Sequence, residues 1–236
     1  MNTARLSAII VKEYHDLKAN VQVLMMVILP AFMAVLYSRM GSGDGGLFSF
    51  VFVSLFSLVF VTMYVQSMLI SEEKEKNTLQ SLLMSPANTT EILIGKSIMT
   101  TVITIVSLFI SWLIMDIEIS NIGILLIVLL LSTVLFLCIG TVVGLVSKNL
   151  IQTGVYIMPF MFLFGFAPMI QMYFEDGVVG NIISYSPSVY IMDISVSALE
   201  GQSFSSYQTD LLWLTGWTIV GVLAAYVLLK KKNLSS

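Results

Sequence analysis

Residues 71–96 read SEEKEKNTLQSLLMSPANTTEILIGK, the one sizeable polar insert in a chain otherwise built of long apolar runs. The charge-free run Leu47–Ile70 precedes it and the run Ser97–Met115 follows it. A helix needs about 20 residues, within roughly 17–25, to cross a bilayer, so both flanks are long enough to span and the insert is the loop that joins them. Inside the insert, Glu72 and Lys76 form an i,i+4 pair in the favoured order. Leu79, Leu82 and Leu83 then recur at helical spacing. Pro86 stops that helix, Asn88 can cap the next, and Glu91 can reach back as in a capping box. The pattern predicts a helix, a sharp turn and a second helix that feeds a span. It fits a contact element for a partner, or an amphipathic helix lying on the lipid surface.

Working outward, six charge-free runs are long enough to span: Asn20–Ser38, Leu47–Ile70, Ser97–Met115, Ile122–Val146, Thr153–Phe174 and Leu211–Leu229. The 236 residues are 57% hydrophobic and 11% charged, whereas a soluble domain is about half apolar with about 25% charged residues. These numbers predict an all-α integral membrane protein with one transmembrane domain over residues 1–236. The first run follows a polar segment carrying both charge signs and has no small-residue cleavage pattern, so it does not read as a signal peptide. The single cysteine, Cys138, excludes an internal disulfide and reads as packing within an apolar run.

Orientation follows the basic residues. With both termini in the cytoplasm, that side holds Arg5, Lys12, Lys18, Lys74, Lys76, Lys96, Lys148 and Lys230 to Lys232, while Arg39 alone lies outside. Leu6, Ile9, Ile10, Tyr14 and Leu17 predict an amphipathic helix over 5–17, suited to the cytoplasmic membrane surface. His15 within it reads as a surface residue. The external segment 175–210 contains Val178–Leu199, apolar but interrupted by Pro187 and Asp193. An acid at the bilayer centre costs about 2.5–3.5 kcal/mol on insertion scales, so the segment is expected to be re-entrant or interfacial, broken near Pro187. The fifth run carries Pro159 and Pro168 and is dense in Phe and Met, including Phe160, Met161, Phe162, Phe164 and Phe166. It reads either as a bent helix along the path of an apolar substrate, with Pro187 nearby, or as plain packing against lipid.

The run Glu73-Lys-Glu75, Thr78-Leu79, Leu82-Leu83, Ser85-Pro86, Glu91-Ile-Leu93, Gly95-Lys96 resembles the signature of ABC-2 type transporter permeases. Lys12-Glu13, Pro30, Ser186-Pro187 and Gly201 are family-like as well, and Asn77 departs from the usual Gly. The resemblance implies the membrane subunit of a bacterial ABC exporter in the plasma membrane. A second permease subunit would pair with it, as homodimer or heterodimer, and cytosolic ABC ATPase subunits would dock beneath. By the same resemblance, Glu72, Glu73, Glu75, Thr78, Leu79, Leu82, Leu83, Ser85 and Pro86 would couple to the ATPase together with Lys12 and Glu13. The Phe- and Met-rich fifth run favours an apolar or amphipathic cargo, such as a drug, a peptide or a lipid-like molecule, while the resemblance leaves glycan cargo open.

The residues themselves place ATP chemistry elsewhere. Gly95-Lys96-Ser97 mimics the end of a P-loop, but Thr90 stands where its first Gly is needed. The cytoplasmic pieces are far shorter than the about 100–150 residues of a typical domain, so ATP and Mg are expected in a partner, with no cofactor on this chain. Nothing in the chain points to nucleic acid. An ion-coupled secondary transporter or channel is the alternative, but it usually places ionisable residues inside the membrane, and the six runs have none. Gln66 and Gln171 are their notable polar residues, both near run ends. A membrane enzyme would need a nucleophile–base pair or metal ligands, which one His and one Cys far apart in sequence do not supply.

Overall fold

In a computed structural model the described residues are 11–12, 20–40, 46–75, 89–174 and 177–233, and among them the chain is helical with no strand. The helices are α1 (Val21–Met40), α2 (Gly46–Phe56), a π-helical segment (Ser57–Met63), α3 (Tyr64–Glu75), α4 (Thr89–Met115), α5 (Ile122–Val146), α6 (Leu150–Tyr173), α7 (Val178–Ile183), α8 (Pro187–Leu199) and α9 (Phe204–Asn233). Among the described residues, six apolar stretches are long enough to cross a membrane: Val21–Arg39, Gly46–Glu72, Leu93–Met115, Ile122–Val146, Leu150–Tyr173 and Phe204–Lys231. The sixth starts ahead of the charge-free run at Leu211, because α9 continues helical through Asp210. Only residues 11–12 of the amphipathic N-terminal helix are described, and they are helical; Glu13 and His15 lie outside the described residues.

The second span, continuous through α2, the π segment and α3, is the axis of the bundle. Within its apolar stretch 72% of the residues are buried, against 17% in the first and sixth spans. Around it α1 packs on α4, α5 lies along both α3 and α9, and α6 leans on α3. Lipid supplies no hydrophobic drive between helices, so close backbone approach and hydrogen bonds must hold them. Both are present. Gly140 and Gly144 of α5 face the second span so closely that a Cβ at Gly140 would lie 2.5 Å from the Met63 carbonyl oxygen, and one at Gly144 would lie 2.7 Å from that of Ser67. On α4, Ser97, Thr100, Thr104, Ser107 and Ser111 recur at spacings of three and four and turn inward, while Val102, Ile105, Val106, Phe109 and Leu113 are exposed. The helix is thus amphipathic in the sense opposite to a soluble one, with hydroxyls inside and large apolar side chains toward lipid.

The segment after α6 forms two short helices separated by a break over 184–186. Pro187 opens α8, where the missing N–H is no loss. α8 ends in a Schellman turn: Gln202 N–H donates to the Ser197 carbonyl (3.0 Å) and Gly201 N–H to that of Ala198 (3.3 Å), with Gly201 at φ +72°. At thirteen residues α8 is too short to span, yet most of its side chains are buried against α9, α2, α6 and α5. α6 continues helical through both Pro159 and Pro168.

Candidate functional site

The end of α3 reaches the turn between α5 and α6. The last carbonyls of a helix and its first N–H groups have no intrahelical partners, so a helix–turn–helix leaves both sets open. Lys74 takes the first set. Its Nζ donates to the carbonyls of Gly144 (2.7 Å), Leu145 and Ser147 (2.8 Å), at the C-terminal end of α5. Glu75 takes part of the second, its Oε2 accepting from Leu150 N–H (2.8 Å) at the start of α6. Each charge sits at the helix pole that favours it, worth up to about 2 kcal/mol where partly buried. Asn149 adds a cap, its Oδ1 accepting from Gln152 N–H (2.8 Å). One turn deeper, Ser71 donates to the Gly144 carbonyl (3.3 Å) and accepts from Thr153 Oγ1. The cytoplasmic turn and the end of the second span are one clasped unit.

Above the clasp a ladder of buried polar contacts runs between the second span and α4. Lys96 Nζ, 2% exposed, donates to the Leu69 carbonyl (2.9 Å). The Gln66 amide donates to Ser97 Oγ and Thr141 Oγ1 (3.1 Å each), and its oxygen accepts from Thr100 Oγ1 (2.8 Å). Thr62 pairs with Thr104 (2.8 Å) and Ser57 with Ser107 (3.1 Å). Two rungs, Ser57 and Thr62, come from the π segment, a backbone form found often at functional sites.

Of the sequence-predicted coupling residues, Glu72 and Glu75 lie on α3, and Glu73 is within it. Thr78, Leu79, Leu82, Leu83, Ser85 and Pro86 lie outside the described residues, as does Glu13; Lys12 is exposed. The pathway residues divide between the two faces of α6. Met161 and Phe164 are buried, with Phe164 against Phe136 at 6.0 Å between ring centroids, and Phe166 meets Phe56 at 5.4 Å. Phe160 and Phe162 point outward, and Pro187 is buried at the head of α8. Sequence reasoning took Lys74 and Lys96 only as cytoplasmic cations and signature positions, and it passed over Ser71 and the glycine pair. Lys96 falls inside a spanning helix that the charge-free run excluded, and Gln66 is fully buried at a three-helix junction rather than marking a span end. The Gly-x-x-x-Gly spacing at 140–144 was the available signal for α5.

A cavity of about 790 Å³ lies between α4 and α5, floored by Val51, Leu55 and Leu58 of the second span and closed at one end by Ile191 and Ser195 of α8. None of the α6 residues lines it. Among the described residues no three His, Cys, Asp or Glu side chains gather as metal ligands.

No curated protein matches the chain. A family model described as an ABC-2 family transporter protein matches residues 36–227, which takes in the end of the first span, the next four spans whole and all but the last few residues of the sixth. With six apolar helices and a match of that extent, the chain is a multi-pass membrane protein that belongs to the ABC-2 family of transporter proteins.

Proposed function

We propose that this chain is the permease subunit of an ATP-driven exporter in a bacterial plasma membrane, with both termini in the cytoplasm. Two six-span subunits pair, alike or different, and cytosolic ABC ATPase subunits bind ATP and Mg beneath them. The family match over residues 36–227 carries this reading. The clasp supports it. A push delivered to the Glu72–Ser85 segment, or to the helix holding Lys12 and Glu13, would reach the α5–α6 turn through Lys74 and Glu75 and enter the bundle through Ser71 and Thr153. The cargo is apolar or amphipathic, in keeping with the scarcity of charge in the spans and the Phe- and Met-rich α6. The segment over 175–210, with α7 and α8, stands at the external mouth as a re-entrant element.

Co-purification tests the reading. The tagged chain, expressed with its genomic neighbours and extracted in mild detergent, should bring an ATP-binding protein in equal amount, and Leu82→Asp should release it while leaving membrane insertion intact. Purification of the chain alone under several mild extractions would sink the ATPase-coupled reading. The buried Lys96 favours one rival, an ion-coupled transporter, since intramembrane ionisable groups serve as relays. Its bond to the Leu69 carbonyl gives it a packing role instead. Transport driven by an ion gradient without ATP would restore the rival.

A further inference from the structure

α4 and α5 are joined by a short turn, Asp116–Asn121, yet they touch each other little. The space between them is the cavity of about 790 Å³, within the roughly 300–1,000 Å³ range of sites that hold small ligands. Its lining starts near the middle of both helices, at Thr101 and Leu137, and runs to the Asp116–Asn121 turn, so it occupies that half of the bundle. No charged side chain lines it. Its polar side chains are the hydroxyls of Ser54, Thr101, Thr133 and Ser195 and the Trp112 indole; Thr101 Oγ1 already donates to the Ser97 carbonyl (2.7 Å) and Trp112 Nε1 to the Ile117 carbonyl (3.0 Å). Its rim is apolar and outward-facing: Ile105 and Phe109 on α4, Leu126 and Leu130 on α5, each more than half exposed.

We infer that this cleft holds one acyl chain of a bilayer lipid, entering sideways between α4 and α5 and reaching the second span and α8. Three observations select that occupant. The rim belongs to spanning helices, so it opens on hydrocarbon rather than on water. An apolar cavity does not hold water, and leaving one empty is destabilising in proportion to its volume. The lining offers no counter-charge, so a headgroup stays outside and only a tail fits. The inference needs the spans to lie in a bilayer and is independent of the transport reading. Because Ile191 and Ser195 close the end of the cleft, the chain tip bears on α8, and lipid supply there helps set how α8 packs.

The full chain is placed in phosphatidylcholine vesicles whose lipid carries a photoactivatable diazirine midway along one acyl chain, and adducts are mapped by mass spectrometry. Adducts are expected at Val51 and Ile191, which line the cleft and are at most 3% exposed. Thr133→Trp fills the cleft from α5 and Ser54→Leu from the second span. Each should lose the floor adducts while keeping those at Leu223 and Val227 on the outer face of α9, which report ordinary surface lipid. Adducts confined to exposed residues in the parent chain would overturn the proposal, as would floor labelling that survives both fillings. Floor labelling by a headgroup diazirine instead of the acyl one would also overturn it. So would cross-linking between copies through Leu130→Cys with the floor unlabelled, since the cleft would then be an interface.

Discussion

The two ends of the bundle are held by different physics. At the Lys74 end, charged and polar side chains are aimed at backbone groups: Lys74 at the carbonyls ending α5, Glu75 at the first turn of α6, Lys96 at Leu69. At the end carrying α8, rings and shape dominate. Tyr190 stacks on Trp213 at 6.2 Å with the planes 5° apart, Tyr185 meets the same indole edge-on, and Trp217 Nε1 donates to the Tyr185 carbonyl (3.0 Å). Directed bonds fix both angle and distance, so the first end moves as a unit or not at all. Ring packing tolerates small slides at low cost. Under the proposed function, a permease pushed from one side and opening at the other would need that asymmetry.

The hardest way to break the stiff end is to push α5 off the second span. Gly140→Ala puts a methyl carbon 2.5 Å from the Met63 carbonyl oxygen, and Gly144→Ala puts one 2.7 Å from that of Ser67. Backbone cannot yield as a side-chain tip does, so each should cost about 1–3 kcal/mol, and more for larger residues. Thermal unfolding in detergent measures it. Gly154→Ala on α6, with nothing within 4 Å, should be neutral or stabilising by up to about 1 kcal/mol. Equal effects at 144 and 154 would refute the close-packing account.

Lys74→Met comes next. It leaves three carbonyls without this donor and should cost about 1–3 kcal/mol, the range for a buried polar group left unsatisfied. Glu75→Gln keeps the shape and loses the charge, so its cost should be smaller. Under the proposed function both should lower transport more than they lower the unfolding midpoint. Variants that lose stability and transport in strict proportion would reduce the clasp to a structural tie.

Much of this architecture is legible in the sequence, and the illegible part has a physical reason. Span number and the helix break at Pro187 follow from hydropathy and from proline's missing N–H. The inward face of α4 was also readable, since Ser97, Thr100, Thr104, Ser107 and Ser111 mark it by spacing alone. Lys74 was not. As a loop lysine it looks like any cation at a span end, and its role depends on where the α5–α6 turn comes to rest. Lys96 misled for a related reason. A long side chain can stay at an interface or turn inward to a carbonyl, and only the neighbouring helix decides. The second span's central place is equally invisible, because a run that is apolar all round reads the same at the axis as against lipid.

Gln66→Leu sharpens the comparison from inside the polar ladder. It removes the amide that joins Ser97, Thr100 and Thr141, whose hydroxyls can turn back to their own helix carbonyls. Interhelical hydrogen bonds in membranes average about 0.6 kcal/mol and reach about 1.7, so the loss should be below that of Lys74→Met. A larger loss would mean that the ladder, rather than the clasp, holds the stiff end.

The smallest effect belongs to the adaptable end. Asp193 is on the surface of α8, but burial among neighbouring groups, and secondarily the Asp210 carboxylate, pushes its carboxyl from an ordinary 3.8 up to about 6. Between those values the folded chain binds a proton that the unfolded chain has released. Stability should therefore fall as pH rises from about 4 to about 6 and level off beyond, the extra stability being fully present only below the unfolded value. Asp193→Asn should remove this part of the slope and leave the variant more stable than the parent at neutral pH, by an amount that solvent screening keeps small. Lys74→Met should leave the slope alone, since it acts at the other end. Unfolding midpoints of parent and variants across this pH range decide the matter. A slope that survives Asp193→Asn would move the titrating group elsewhere and remove the pH sensitivity from the α8 end.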